Sequence, residues 1–167
     1  MQIPAFDNWL PQERPTSAKM NANIRDAGNF FRSTPFAWAH RTAALSVADA
    51  AWTEIPLDTE KADTDNMFST ASGFVIVTPG WYSVSGGMRY TSNVNGYRGC
   101  RLRVSGADAD VTYTPAINGT QTTVRADAEL YCNVGDTLSL GGFSSVAVSL
   151  HVPTPYYCFL RARWMAA

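Results

Sequence analysis

Four carboxylates, Asp58, Glu60, Asp63 and Asp65, fall in the short run 58–65. Oxygen donors at that density suit a calcium ion. The run lacks the central glycine and closing glutamate of a helix-loop-helix site, so the spacing favours a solvated acidic loop and no metal is expected. His40 and His151 are the only histidines. No Ser-His-Asp or Cys-His spacing can be drawn from them, and both sit in strand patterns where packing roles are expected. Cys100, Cys132 and Cys158 form an odd, widely spaced set. That is neither a disulfide framework nor a zinc site, and buried small hydrophobes are the expectation. Ser85-Gly86-Gly87 lies inside a strand pattern and reads as a bulge, not a phosphate loop. With no paired carboxylates in a recognisable frame, neither catalytic residues nor a cofactor are expected.

Recognition chemistry is better represented. Arg98, Arg101 and Arg103 follow a turn. Arg101 and Arg103 alternate with Cys100, Leu102 and Val104, so they point outward. They could bind an acidic cell-wall polymer, or pair with Asp108 and Asp110. Tyr90, Tyr97 and Tyr113 lie near predicted loops, where an exposed ring can stack on a sugar. These six residues are the surface-ligand candidates.

The chain that positions them has 167 residues, 46% of them hydrophobic and only 16% charged, with a formal net charge of −1. One domain with a sizeable core plus a short appendage fits that length. The charge balance offers nothing to attract nucleic acid. No stretch approaches the ~20 apolar residues of a membrane span, and the first residues lack the basic start and apolar run of a secretory leader. Lys19 and Lys61 are the only lysines, so the positive charge is mostly arginine, which suits protein interfaces.

Residues 1–15 carry three prolines and no period. They predict an extended arm, on which Phe6, Trp9 and Leu10 are anchors into a neighbouring subunit or protein, or else fold back on their own domain. A helix is predicted over Ser17 to Arg32, capped by Thr16 or Ser17. Met20, Ile24, Ala27 and Phe31 form a two-heptad seam. That seam either bundles with copies of itself or lies on the sandwich. Gly28 weakens the helix by ~1 kcal/mol.

From Phe36 onward the pattern is all strands. Phe74 to Val77 runs into a Pro79-Gly80 turn. Val124 to Cys132 alternates with a clean period of two. Asn95-Gly96 and Asn118-Gly119 read as hairpin turns. Eight or more strands at regular spacing predict an all-β sandwich or jelly roll. The domains expected are an anchoring arm and helix over 1–35 and a jelly-roll head over 36–167.

Two resemblances sharpen this reading. Phe74-Val75-Ile76-Val77 with Pro79-Gly80-Trp81-Tyr82, Leu130 through Gly135-Asp136 to Leu138, and Tyr157-Cys158-Phe159-Leu160 resemble the signature of the trimeric jelly roll of complement globular heads and tumour necrosis factors. Over nearly the whole chain, the order of pieces resembles short virion proteins of tailed phages, especially those of actinobacteria. The pieces are Thr16-Ser17-Ala18 through Arg25-Asp26 to Phe30-Phe31, then Thr34-Pro35-Phe36-Ala37, then Trp52 to Glu60, and Asp65 to Ser69.

The resemblances imply a homotrimer with Tyr82, Tyr157 and Phe159 as interface candidates, Tyr82 and Phe159 being equally readable as core. They also imply a structural virion protein and not an enzyme: a minor tail component displaying its head for host-surface attachment, or alternatively a capsid decoration protein or head fibre. The partners implied are other virion proteins through the N-terminal arm, with a host cell-surface glycan as the ligand the attachment role would take.

Overall fold

The structure, a computed structural model, describes residues 4, 10–117, 120–151 and 157–167. Phe6 and Trp9, the Asn118-Gly119 turn and the segment 152–156 lie outside the described residues.

The chain enters through a short ordered lead. Glu13 accepts from the Leu10 amide at 3.0 Å and pairs with Lys19 at 2.6 Å. Thr16 caps the helix, its hydroxyl accepting from the Lys19 amide, which satisfies one of the first-turn donors. Helix α1, Ser17–Met20, passes through a π-helical stretch, Asn21–Asp26, into helix α2, Ala27–Arg32. The wider π turn changes the angle per residue and breaks the two-heptad register expected for the seam. Ala27 and Phe30 are the buried positions.

Thirteen strands follow among the described residues: β1 Phe36–His40, β2 Ser46–Val47, β3 Ala51–Glu54, β4 Thr59–Asp63, β5 Phe68–Ser69, β6 Gly73–Val75, β7 Gly80–Tyr90, β8 Tyr97–Val104, β9 Ala107–Pro115, β10 Thr122–Cys132, β11 Thr137–Ser144, β12 Val148–Ser149 and β13 Phe159–Ala166. They build two facing five-stranded sheets, β10-β7-β13-β1-β4 and β5-β6-β11-β8-β9, with β2 and β12 as a small side pair. All the named pairings are antiparallel. This is the jelly-roll sandwich that the strand periodicity predicts.

Alternation dictates the core. On β7, Tyr82, Val84, Met88 and Tyr90 point inward; on β13, Leu160 and Ala162; on β10, Val124 and Ala126. From the second sheet come Phe74, Cys100, Leu102, Leu138 and Leu140. Fully burying each large aliphatic or aromatic chain contributes about 1.5–3 kcal/mol. All three cysteines are buried and free.

Several local expectations change. The Ser85-Gly86-Gly87 stretch is not a bulge: β7 keeps unbroken register there with both β10 and β13. Gly86 is required because a side chain would begin 2.5 Å from Leu140 and 2.8 Å from Leu102, where the sheets press together. Asn95-Gly96 is not a hairpin turn, since β7 and β8 belong to different sheets and the segment crosses between them. The tight β8–β9 hairpin turns instead at Ser105-Gly106, with φ of 48° and 88°, the left-handed backbone that such turns demand.

The acidic run is no loop either, because Thr59–Asp63 is strand β4 and its carboxylates diverge. Asp58 ties down Thr42 and Ala43, Asp63 accepts from the Asp65 and Phe68 amides, and Asp65 accepts from Thr78 at 2.7 Å.

Candidate functional site

Each sheet has one face in the core and one outside, so the recognition chemistry divides between two outer faces and one end. The outer face of β10-β7-β13-β1-β4 carries every second residue of long, regular strands. Trp81, Ser83 and Ser85 come from β7, Phe159, Arg161 and Arg163 from β13, Arg125, Asp127 and Tyr131 from β10, and Trp38 from β1. Cation and ring are interleaved. The Arg89 guanidinium sits 4.2 Å over the Tyr157 ring, and Arg125 lies 5.7 Å from the Phe159 ring. Tyr157 also stacks with His151 at 6.2 Å, and Trp81 meets Tyr131 edge-on at 6.0 Å. A concavity of 240 Å³ lies among Trp38, Ser85, Arg125, Asp127, Phe159 and Arg161. Planar guanidinium and aromatic groups side by side are the composition of protein–protein contact cores.

The structure separates the three interface candidates. Tyr157 and Phe159 belong to this outer face. Tyr82 does not: it is fully buried, and its hydroxyl donates to the Thr78 carbonyl at 2.7 Å. It serves the core, because position 82 has the inward parity of β7.

The helix docks at one end of the sandwich. Phe30 packs edge-on against Trp164 at 5.0 Å, and Trp164 donates from Nε1 to the Pro79 carbonyl at 3.1 Å. Of the predicted seam, Ala27 is taken up by this docking. Met20, Ile24 and Phe31 remain outside, the last two 60% and 66% exposed. Leu10, the one described anchor candidate, is also exposed. An apolar stripe on an otherwise polar helix therefore faces away from its own domain.

The second outer face, that of β5-β6-β11-β8-β9, holds three of the six ligand candidates. Arg101 and Arg103 both reach Glu54 Oε1, Arg101 at 2.9 Å and Arg103 at 2.5 Å, and both approach Asp108 Oδ1 at 3.3 Å. The pairing alternative thus holds for Asp108. Glu54 takes the place expected of Asp110, which instead accepts from the Asp127 amide. Tyr113 joins Trp52 and Phe143 in a three-ring cluster with centroids 5.4–5.8 Å apart. Trp52, Glu54 and Phe143 had no local signal, since they meet the arginines and Tyr113 only across the folded sheet.

Two candidates are corrected. Arg98 is fully buried and donates to the carbonyls of Asn93, Asn95 and Tyr97 at 3.0–3.2 Å. Tyr90 is fully buried and donates to the Gly99 carbonyl while accepting from the Phe143 amide. Burial pushes its phenol well above the ordinary range. Neither is a ligand residue, because strand parity and the crossover loop turn both inward. Tyr97 stays exposed at the end of the sandwich opposite the helix.

No protein-family model matches the chain, and no curated protein matches it in sequence. Solved structures do match in fold. The globular domain of zebrafish complement 1qA protein superposes with a TM-score of 0.59 at 13% identity, covering 79% of this chain and 98% of that one. Murine APRIL at pH 5.0 gives 0.63 at 12% identity over 78% and 98%, and its pH 8.0 form gives 0.62 at 14% identity. The architecture is therefore the jelly roll of complement heads and tumour-necrosis-factor-like proteins.

Proposed function

We propose that this chain is a homotrimeric display protein, a structural and non-enzymatic component of a tailed-phage particle that presents its jelly-roll head for host-surface attachment. The observation that carries the reading is the outer face of the β10-β7-β13-β1-β4 sheet, where Trp38, Phe159, Tyr157, Trp81 and Tyr131 are interleaved with Arg89, Arg125, Arg161 and Arg163. Jelly rolls of this fold form homotrimers. A guanidinium-and-ring face buried against two copies of itself accounts for a surface that is otherwise costly in water.

The helix supports the same arrangement. It leaves from one end of the sandwich, so three copies around one axis bring the exposed Met20, Ile24 and Phe31 stripes together and send three arms toward one partner. Three weak sites on one head gain avidity on a repetitive host surface. The phage assignment rests on the order of sequence pieces from Thr16 to Ser69.

Two measurements test it. Sedimentation equilibrium of the full chain is expected to return three times the 18.2 kDa protomer mass; a monomer overturns the assembly. Gold-labelled antibody against the head is expected to decorate the tail of intact particles. Label on the capsid would make the protein a shell decoration, and label on neither would overturn the virion role.

A further inference from the structure

The solvent face of the second sheet has a built order. Cross-strand register on β11, β8 and β9 sets Phe143, Gly99 and Tyr113 in one row, Gly141, Arg101 and Val111 in the next, and Ser139, Arg103 and Asp108 in a third. Strand β3 flanks β11, through Ala50 to Ser144 and Ile55 to Leu140 backbone bonds, and adds Trp52 to the aromatic end and Glu54 to the charged end. Glycine leaves room on the floor. A Cβ on Gly99 would lie 3.1 Å from the Tyr113 ring, and one on Gly141 would lie 2.6 Å from Arg101 Nε. The large side chains therefore lie down across the sheet. Arg101 joins the two ends, 4.6 Å over the Trp52 ring and 2.9 Å from Glu54.

Hydrogen-bonding capacity decides what fits. Two arginines face two carboxylates, so the cluster carries no net charge. Arg101 and Arg103 use their terminal donors within the cluster and on the Gly106 carbonyl. Solvent instead meets carboxylate oxygen: the Glu54 and Asp108 side chains are 48% and 43% exposed. Such a site presents hydrogen-bond acceptors to a ligand and offers an anion no net attraction. Beside it a groove of 520 Å³ runs between Glu54, Arg103, Thr137 and Ser139 and the Ser72-Gly73 turn, a size ordinary for ligand sites. Tyr113, 52% exposed, offers a ring at the other end.

We propose that this face binds a neutral, hydroxyl-rich saccharide, with ring faces stacked on the Tyr113, Trp52 and Phe143 cluster and hydroxyls donating to Glu54 and Asp108. The stacking needs an apolar C–H face and the carboxylates need many O–H donors, and a sugar ring supplies both. An acidic cell-wall polymer supplies acceptors where the site already presents acceptors. This deepens the attachment role proposed above and rests on it for biological meaning, though the binding is testable alone.

The test is titration of the full chain with chitotetraose, cellopentaose and maltohexaose, and separately with poly(glycerol phosphate), followed by calorimetry and saturation-transfer NMR. At least one neutral oligosaccharide is expected to bind with a millimolar dissociation constant, and poly(glycerol phosphate) is expected not to. Tyr113→Ala removes a largely exposed ring, and Glu54→Gln replaces one acceptor oxygen by a donor and removes the charge with little change of shape. Each is expected to weaken binding about tenfold or more. Binding by none of the three sugars at about 10 mM, a stronger response to the polyanion, or unchanged affinity in both variants would each overturn the site. Sedimentation of the same samples separates this from the assembly: a trimer that binds no sugar loses only this site, and a monomer that binds sugar loses only the trimer.

Discussion

Arg98 shows how a single side chain can hold a whole crossover. Its guanidinium is enclosed, and it fans onto three carbonyls of the segment that carries the chain from one sheet to the other. Desolvation lowers its pKa, with Tyr90 acting the other way. Hydrogen bonds to a charged group contribute about 1.5–3 kcal/mol each when well made. Arg98→Met is therefore expected to cost at least about 2 kcal/mol in urea unfolding and to raise amide exchange across 91–97 before the sandwich opens. Arg98→Met with wild-type stability and exchange would show that the loop holds itself.

Asp58 makes a second case. Burial pushes its carboxyl upward, but amides of Ala43 and Thr42 and hydroxyls of Thr59 and Thr42 outweigh it and hold the carboxyl below its ordinary range. A carboxyl depressed in the folded state contributes stability that is present above its unfolded pKa and lost as pH falls through the folded one. Unfolding midpoints are expected to fall on acidification below about pH 4, and less steeply in Asp58→Asn. Equal acid sensitivity in the variant would assign the loss to other groups, such as Asp136, whose carboxyl is held low by the Asn133 amide and the Ser105 hydroxyl.

Among the elements, the helix has the least support from its own domain. Its ends are only four and six residues of α-helix, joined through a π turn. A helix this short is marginal alone in water. Phe30 on Trp164 anchors its last turn, while Met20, Ile24 and Phe31 face outward. Ile24→Asp with Phe31→Asp should leave the near-ultraviolet dichroism of the sandwich unchanged, since both positions are exposed. The same pair should weaken trimer association by about tenfold or more if the stripes meet in the assembly. A double variant that sediments like wild type would place the helices apart.

At the scale of the whole molecule, the two sheets divide the work. In the proposed assembly, one outer face uses its guanidinium and aromatic groups for contact between copies, and the other presents its charge-balanced surface to the outside. Phe159→Asp tests the division. It puts a carboxylate beside Arg125 on the first face without entering the core, because Leu160 and Cys158 are the inward residues. The protomer is expected to stay folded and the trimer to dissociate. A trimer with unchanged melting would move the axis away from Phe159.

How much of this was legible follows from range. Period-two alternation is local, so strand β10 with its inward Val124 and Ala126 and the buried cysteines were readable from the chain, whereas the inward Tyr82 and Tyr90 of β7 were not. Thr16 as helix cap and the jelly-roll class were readable too. The π turn was not, because nothing in Asn21–Asp26 distinguishes it from an ordinary turn by composition. The parity of Arg98 was lost because it depends on where the crossover re-enters the sheet, and a shift of one residue reverses every face; Tyr90 was placed near a loop although it closes β7 on the inward parity. On the second outer face Arg101, Arg103, Asp108 and Tyr113 were legible, but their partners Trp52, Glu54 and Phe143 were not, for the same reason at longer range. Glu54 meets Arg101, Arg103 and Ser139 at separations of 47, 49 and 85 residues. Local pattern by itself determined that this is a sandwich with alternating faces. Only tertiary pairing decided which distant side chains share a face, because register between strands is set by the packing of both sheets at once.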